Sequence, residues 1–370
     1  MSEKQSYNHL QAILAIARAS LRSITRSPSA VVFSLLFPLI FIVVFGFIGG
    51  GGISLDVGLA KGCDTINPLV QRLQGENSGV RLVRAEDTPT MDEDLLKGRF
   101  DALLNVTKTG NTEPPFYNVQ LTLSAASMRN GRIFQTQLTM MMNQINSAGN
   151  IPKDLVLKMD PPKIVEGRPY KSIDFILPGQ LGFSILASGV FGTAFVFLSL
   201  RQTLVLKRFF ATPVRRSDII LGETLSRVTF SIAGSAIIIL IGKFAFGFTL
   251  IHGFVTVINM LLLSVLGLVV FMGFGFVVSG VAKNESSVPP IANLITMPQF
   301  LLSGTFFSIQ NFPSWLQPIS KALPLTYLND ALRKIAFEGA GLFDVGHQIL
   351  IVSLWGIGVY IIAIKVFRWE

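Results

Sequence analysis

The sequence predicts a polytopic α-helical membrane protein with six transmembrane helices and a small α/β extracytoplasmic domain inserted between helices 1 and 2. Three observations predict it. The chain has 370 residues, 50% hydrophobic and only 14% charged, whereas a soluble domain is typically about 25% charged. Residues 51–174 hold 14 Lys/Arg and 14 Asp/Glu, so the net charge of +9 belongs to the rest of the chain. That rest contains six long apolar runs joined by short, basic stretches. The apolar content excludes a basic soluble domain, and cations confined to loops between apolar runs do not form a nucleic-acid surface.

Residues 1–27 precede the first run. Leu10, Ile13, Leu14, Ala17, Leu21 and Ile24 recur at helical spacing, and Arg18, Arg22 and Arg26 lie beside that stripe. The pattern predicts an amphipathic interfacial helix with its cations toward anionic lipid headgroups. Segment 28–50 carries the first span. Ala30–Ile48 has 19 residues without a charge, long enough to cross a bilayer, with a kink expected at Pro38. Gly49–Gly52 offers no signal-peptide cleavage site. The basic flank places the N-terminus in the cytoplasm.

Segment 51–174 changes character, with charges, Asn, Pro and shorter apolar runs. Strands are expected at Ile53–Ala60, Val80–Arg84, Phe100–Val106 and Phe116–Leu121. Helices are expected at Asn67–Gln74, Thr90–Lys97 and Ser124–Asn146. Segment 175–370 holds the other five runs: Phe175–Leu200, Val228–Phe246, Phe254–Gly280, Val288–Phe307 and Val345–Ile364. Six crossings put both termini on one side. The inner loops and tails then carry 13 Lys/Arg. Outside the balanced domain, the outer side has only Lys243, Lys321, Arg333 and Lys334. The expected location is the cell (inner) membrane, multi-pass, with loop 201–223 cytoplasmic. The outer segment 309–342 is broken by Pro313, Pro318 and Pro324 and carries Trp315, so short re-entrant helices are expected there.

Little in the sequence carries chemistry of its own. There is one cysteine, Cys63, and His9, His252 and His347 have no ligand spacing, so neither a metal site nor a catalytic set is expected. The phosphate-cradling G-x-x-x-x-G-K-[ST] pattern is absent. No span has a central carboxylate of the kind that couples transport to protons. Ser184, Ser188 and Gly192 repeat every four residues and let another backbone approach closely. Asn259, Asn293 and Gln299 are polar groups within spans that either line a pathway or bond across helices.

The stretch LKRFFATPVRRSDIILGE, Leu206–Glu223, sets Lys207, Arg208, Arg215 and Arg216 around a Thr212-Pro213 step, with Phe209 and Phe210 as apolar anchors. It reads as two short helices with a break, Ser217 or Asp218 capping the second. Cations mixed with aromatics and capped turns point to a protein-docking surface. This stretch resembles the coupling loop of the membrane (permease) subunits of type 2 ABC transporters. FSLLFPLIFIVVFG is similar to that family's first span, and Met297–Arg333, with L-S-G-T-F-F and P-L-T-Y-L-N-D-A-L-R, to its fifth span and outer re-entrant helices. The inserted domain resembles those of a bacterial drug- or lipid-export branch, on the fragment Asp101–Leu104.

The resemblance implies an exporter half without enzymatic activity of its own. It would move a lipid, drug or modified peptide, with ATP and Mg on separate cytoplasmic ABC ATPase subunits and a second permease copy, identical or related, completing the pathway. It also implies that Lys207, Arg208, Phe209, Thr212, Pro213, Arg215, Arg216 and Asp218 form the ATPase contact. Two departures stand out. Arg201-Gln202-Thr203 replaces the acidic residues and Gly often found before that contact, and Glu223 stands where Lys often follows I-L-G. The alternative function is a ligand-sensing membrane protein with an extracytoplasmic sensor domain.

Overall fold

The structure is a computed structural model of the chain. It describes residues 8–26, 36–48, 55–75, 78–84, 91, 95, 100–110, 115–147, 157–165, 171–203 and 213–367. The chain divides into two units, Met1–Gly50 with Lys171–Glu370, and Gly51–Tyr170.

The first unit opens with α1 (His9–Thr25), whose N-cap Asn8 accepts from the backbone N–H of Leu10. A second helix, α2, covers Phe37–Ile48. The earlier part of the expected first span, 30–35, lies outside the described residues.

The inserted unit is built from β1 (Leu55–Leu59), α3 (Pro68–Leu73), β2 (Val80–Arg84), β3 (Ala102–Lys108), β4 (Tyr117–Ser124), α4 (Met128–Ser147), β5 (Leu157–Met159) and β6 (Lys163–Val165). The sheet order is β2-β1-β3-β4-β5, with β6 also pairing β4. β2, β1 and β3 run parallel, β4 is antiparallel to β3, and β5 and β6 are parallel to β4. Alternation on β3 sends Ala102, Leu104 and Val106 to one face. There they meet Leu69, Val70 and Leu73 of α3 and Phe134 and Leu138 of α4. The opposite face packs Leu103 and Val83 on Met91, Leu95 and Phe100. Of the expected helix Thr90–Lys97, Met91 and Leu95 are described, and both are helical. The four expected strands are present: β2 has the ends expected, and the ends of β1, β3 and β4 lie one to three residues from those expected. β5 and β6, three residues each, are too short to show an alternating pattern.

Two carboxylates meet at the start of this sheet. Asp101 accepts from the Asp56 backbone N–H at 2.9 Å and from Asn130 at 3.1 Å, and Arg81 lies 3.6 Å from Asp56. Burial pushes the Asp56 carboxyl from 3.8 up to about 6, against the pull of Arg81 and with help from Asp101. Burial raises Asp101 as well. The folded unit therefore keeps the Asp56 proton where the unfolded chain has lost it. Stability falls as pH rises from 3.8 to about 6 and is level above. Asp56→Asn is expected to flatten that slope and to strengthen β1 at pH 7.5. Hydrogen exchange of β1 in the full chain, corrected for intrinsic rates, measures both.

The chain returns through α5 (Ser172–Ala187), a π turn at Ser188–Gly192 and α6 (Thr193–Gln202). Then follow α7 (Arg216–Phe246), α8 (Phe254–Val281), α9 (Val288–Leu302), α10 (Gln317–Ala322), α11 (Pro324–Arg333) and α12 (Gly346–Val366). Among the described residues four helices are long and apolar enough to cross a membrane: Ser172–Gln202, Ser217–Phe246, Phe254–Val281 and Gly346–Val366. α2 and α9, with 12 and 15 described helical residues, are shorter than a span, so six transmembrane helices exceed what the structure counts.

The third expected run starts much earlier than Val228, because α7 is already helical from Arg216. A buried core joins Leu177, Leu181 and Leu186 of α5 to Leu268 and Phe271 of α8 and Leu325, Leu328 and Leu332 of α11. The α5 to α8 approach is close enough that backbone meets backbone. A Cβ on Gly275 would lie 2.7 and 2.8 Å from the carbonyl oxygens of Val190 and Gly189.

Candidate functional site

The residues expected to make the partner contact run into the first turns of α7. Lys207, Arg208, Phe209 and Thr212 lie outside the described residues. Pro213 and Arg215 are exposed, and Arg216 begins α7. The N-cap is Arg215, not Ser217 or Asp218. Asp218 acts from the third helical position, accepting the Arg215 backbone N–H at 3.0 Å. A carboxylate there satisfies an otherwise unpaired amide and suits the positive end of the helix.

Asp218 is also held by α1. His9 Nδ1 lies 2.8 Å from its Oδ2, a link across 209 positions that no local pattern reveals. One turn on, Gly222 admits α1, since a Cβ there would stand 2.8 Å from the Ile16 side chain and 3.0 Å from the Ile13 carbonyl oxygen. Ser20 donates to Glu223. The apolar stripe of α1 is thereby split. Ala17 and Ile24 are buried, while Leu10 stays 70% and Leu14 48% exposed beside the exposed Arg18, Arg22 and Arg26.

Glu223 and Arg227 form a buried ion pair at 2.8 Å, and Arg227 Nη2 donates to the Gly192 carbonyl at 2.6 Å. The expected boundary at Val228 left Arg227 among the loop cations. The i,i+4 spacing of Glu223 and Arg227 was the available sign of a shared helix face. Both departures from the coupling-loop pattern have structural partners. Glu223 holds Ser20 and Arg227. Arg201 donates to the Ala282 carbonyl at 2.6 Å, supplying a cation to the C-terminal end of α8.

The remaining candidates scatter. Ser184 is buried, Ser188 half-buried and Gly192 faces Arg227. The π turn breaks their four-residue register at Ser188, and Gly189 rather than Ser188 takes the close contact, with Phe271 and Met272 of α8. Asn259 and Asn293 are half-buried, and Gln299 is buried on α9. Among the described residues no group of three His, Cys, Asp or Glu is placed to hold a metal.

At the far end of the α5 span a second cluster forms. Arg333 of α11 donates to the Phe175 carbonyl at 3.0 and 3.1 Å and to that of Gly304, and its guanidinium lies 3.7 Å from the Phe175 ring centroid. Asn329 donates to the Ser303 carbonyl at 3.1 Å. These groups hold the turn Ser303–Phe307, which needs Gly304 at φ +69. Phe37, Phe41, Phe183, Phe300 and Phe306 gather beside it, the closest centroids 4.0 Å apart.

The sequence profile described as ABC-2 family transporter protein matches residues 28–365. The chain belongs to the ABC-2 family. As an ABC-2 protein with four helices among the described residues long and apolar enough to cross a membrane, it is a multi-pass membrane protein. It is 27% identical over 253 residues to ABC transporter G family member 20 of Dictyostelium discoideum, covering 67% of this chain and 33% of that one. It is 20% identical over 166 residues to the probable multidrug ABC transporter permease YbhS of Escherichia coli (strain K12), covering 45% and 43%. With the daunorubicin resistance ABC transporter permease protein DrrB1 of Streptomyces coeruleorubidus it shares 25% over 195 residues, covering 51% and 65%. The ABC-2 chain thus spans a third to under a half of the first two relatives' lengths.

Proposed function

We propose that this ABC-2 chain is the membrane half of an ATP-driven exporter for an amphipathic substrate, driven by separate cytoplasmic ABC ATPase subunits. Family membership over residues 28–365 carries the reading. Relatives named for multidrug transport and daunorubicin resistance support a drug-like substrate. In this reading α2 and α9 complete six spans, both termini and loop 201–223 are cytoplasmic, and Gly51–Tyr170 is extracytoplasmic. The excess of 13 inner over 4 outer cations supports that orientation.

The α1–α7 corner is then the point where the ATPase pushes. Pro213 and Arg215 are exposed for contact, while Asp218, Gly222 and Glu223 weld the start of α7 to α1, so a push on the loop moves two helices together. The exposed Leu10, Leu14, Arg18, Arg22 and Arg26 support a position for α1 in the headgroup layer. A second permease copy closes the pathway.

Gentle purification of the tagged chain from its native membrane is expected to bring down an ABC ATPase, identified by mass spectrometry. Its ATP hydrolysis in nanodiscs is expected to rise with daunorubicin as the amphipathic probe. Purification without any ATPase would overturn the proposal.

A further inference from the structure

The Glu223–Arg227 pair sits where a span of this composition would ordinarily be apolar. Both side chains are buried, at 3% and 4% exposure. A buried charge is expensive, and an apolar pair of similar volume is often as stable or more so. The pair does more than neutralise itself. Glu223 reaches back to Ser20 of α1, and Arg227 reaches across to the Gly192 carbonyl. Gly192 closes the π turn Ser188–Gly192, the one place where the α5–α6 span leaves α-helical geometry. A Cβ there would overlap Arg227 Nη1, so any side chain at this position would push the guanidinium off the turn. From its other side the same turn is gripped by α8, through Gly189 and Gly275. Arg227 Nε, Ser226 Oγ and Thr193 Oγ1 are buried there with no hydrogen-bond partner among the described residues. Spare donors and acceptors around a π turn allow the guanidinium to re-pair when the turn shifts.

We infer that Glu223 and Arg227 are positioning residues for transport: they tie the α1–α7 corner to the π turn of the α5–α6 span, so that a displacement of the corner is delivered to that span. The inference rests on the function proposed above. A push on loop 201–223 moves α7 with α1, and Arg227 carries the motion to a turn whose hydrogen bonding is already irregular.

The test uses the complex with its ATPase in proteoliposomes, reading ATP hydrolysis and daunorubicin transport separately. Glu223→Gln with Arg227→Met removes both charges together. Gly192→Ala leaves the pair intact and displaces the guanidinium from the turn. In each variant the complex is expected to assemble and hydrolyse ATP, while transport per ATP falls about tenfold or more. Wild-type transport per ATP in either variant would overturn the inference. So would loss of the folded complex in both, which would leave the pair a purely structural role. A wild-type complex that neither binds an ATPase nor transports would instead refute the proposed function.

Discussion

Gly275→Ala is expected to destabilise the helical unit by about 3 kcal/mol, lowering its thermal midpoint by roughly 6–12 °C. The added methyl would lie 2.6 Å from the Thr193 Cβ and 2.7 and 2.8 Å from the carbonyl oxygens of Val190 and Gly189. Two of those three neighbours are backbone, inside a turn also pinned by Arg227, so no rotamer change relieves the overlap. α8 must move away from α5, and the contacts around Phe271 loosen with it. Gly358→Ala, on α12 with nothing within 4 Å, is the matched control and is expected to be neutral. Thermal unfolding of both variants in detergent, followed by size exclusion, separates the two outcomes. Equal midpoints would mean that the helices do not approach as closely as described.

Arg333→Leu is expected to be nearly as damaging and to abolish transport. Its guanidinium serves the carbonyls of Phe175 and Gly304 and stacks on the Phe175 ring. Each hydrogen bond from a charged donor contributes about 1.5–3 kcal/mol. Leucine would fill the volume and leave the carbonyls unserved. Arg333→Lys is expected to recover only part of the loss, since an ammonium cannot reproduce the planar fork. Hydrogen exchange in Ser303–Phe307 is expected to quicken first. Unchanged protection there would remove Arg333 from its holding role.

Much of this architecture was legible before any coordinates. Charge balance separated residues 51–174 from the apolar remainder, and alternation gave the strands β1 to β4 with ends within three residues of those observed. The π turn was not legible. Ser184, Ser188 and Gly192 keep a perfect period of four, and an irregular turn leaves no mark on composition. Only its neighbours, the guanidinium at Gly192 and α8 at Gly189, reveal it. The early start of α7 was hidden because Arg215, Arg216 and Arg227 look like loop residues until Asp218 and Glu223 are seen to satisfy the helix start and the buried cation. The contacts from His9 and Ser20 to α7 span more than 200 positions, beyond any periodicity. The cationic stretch stood out in the sequence; the scaffold that makes it a corner did not.

The central claim is that an ATPase drives this chain through that corner, and paired charge reversal tests it most directly. Arg215→Glu with Arg216→Glu alters an exposed N-cap residue and its neighbour while leaving Asp218, Gly222 and Glu223 in place. The tagged double variant, purified gently from membranes, is expected to fold with an unchanged thermal midpoint and to lose its ATPase subunits, its transport, or both. Wild-type levels of co-purified ATPase and of daunorubicin transport in that variant would contradict the account.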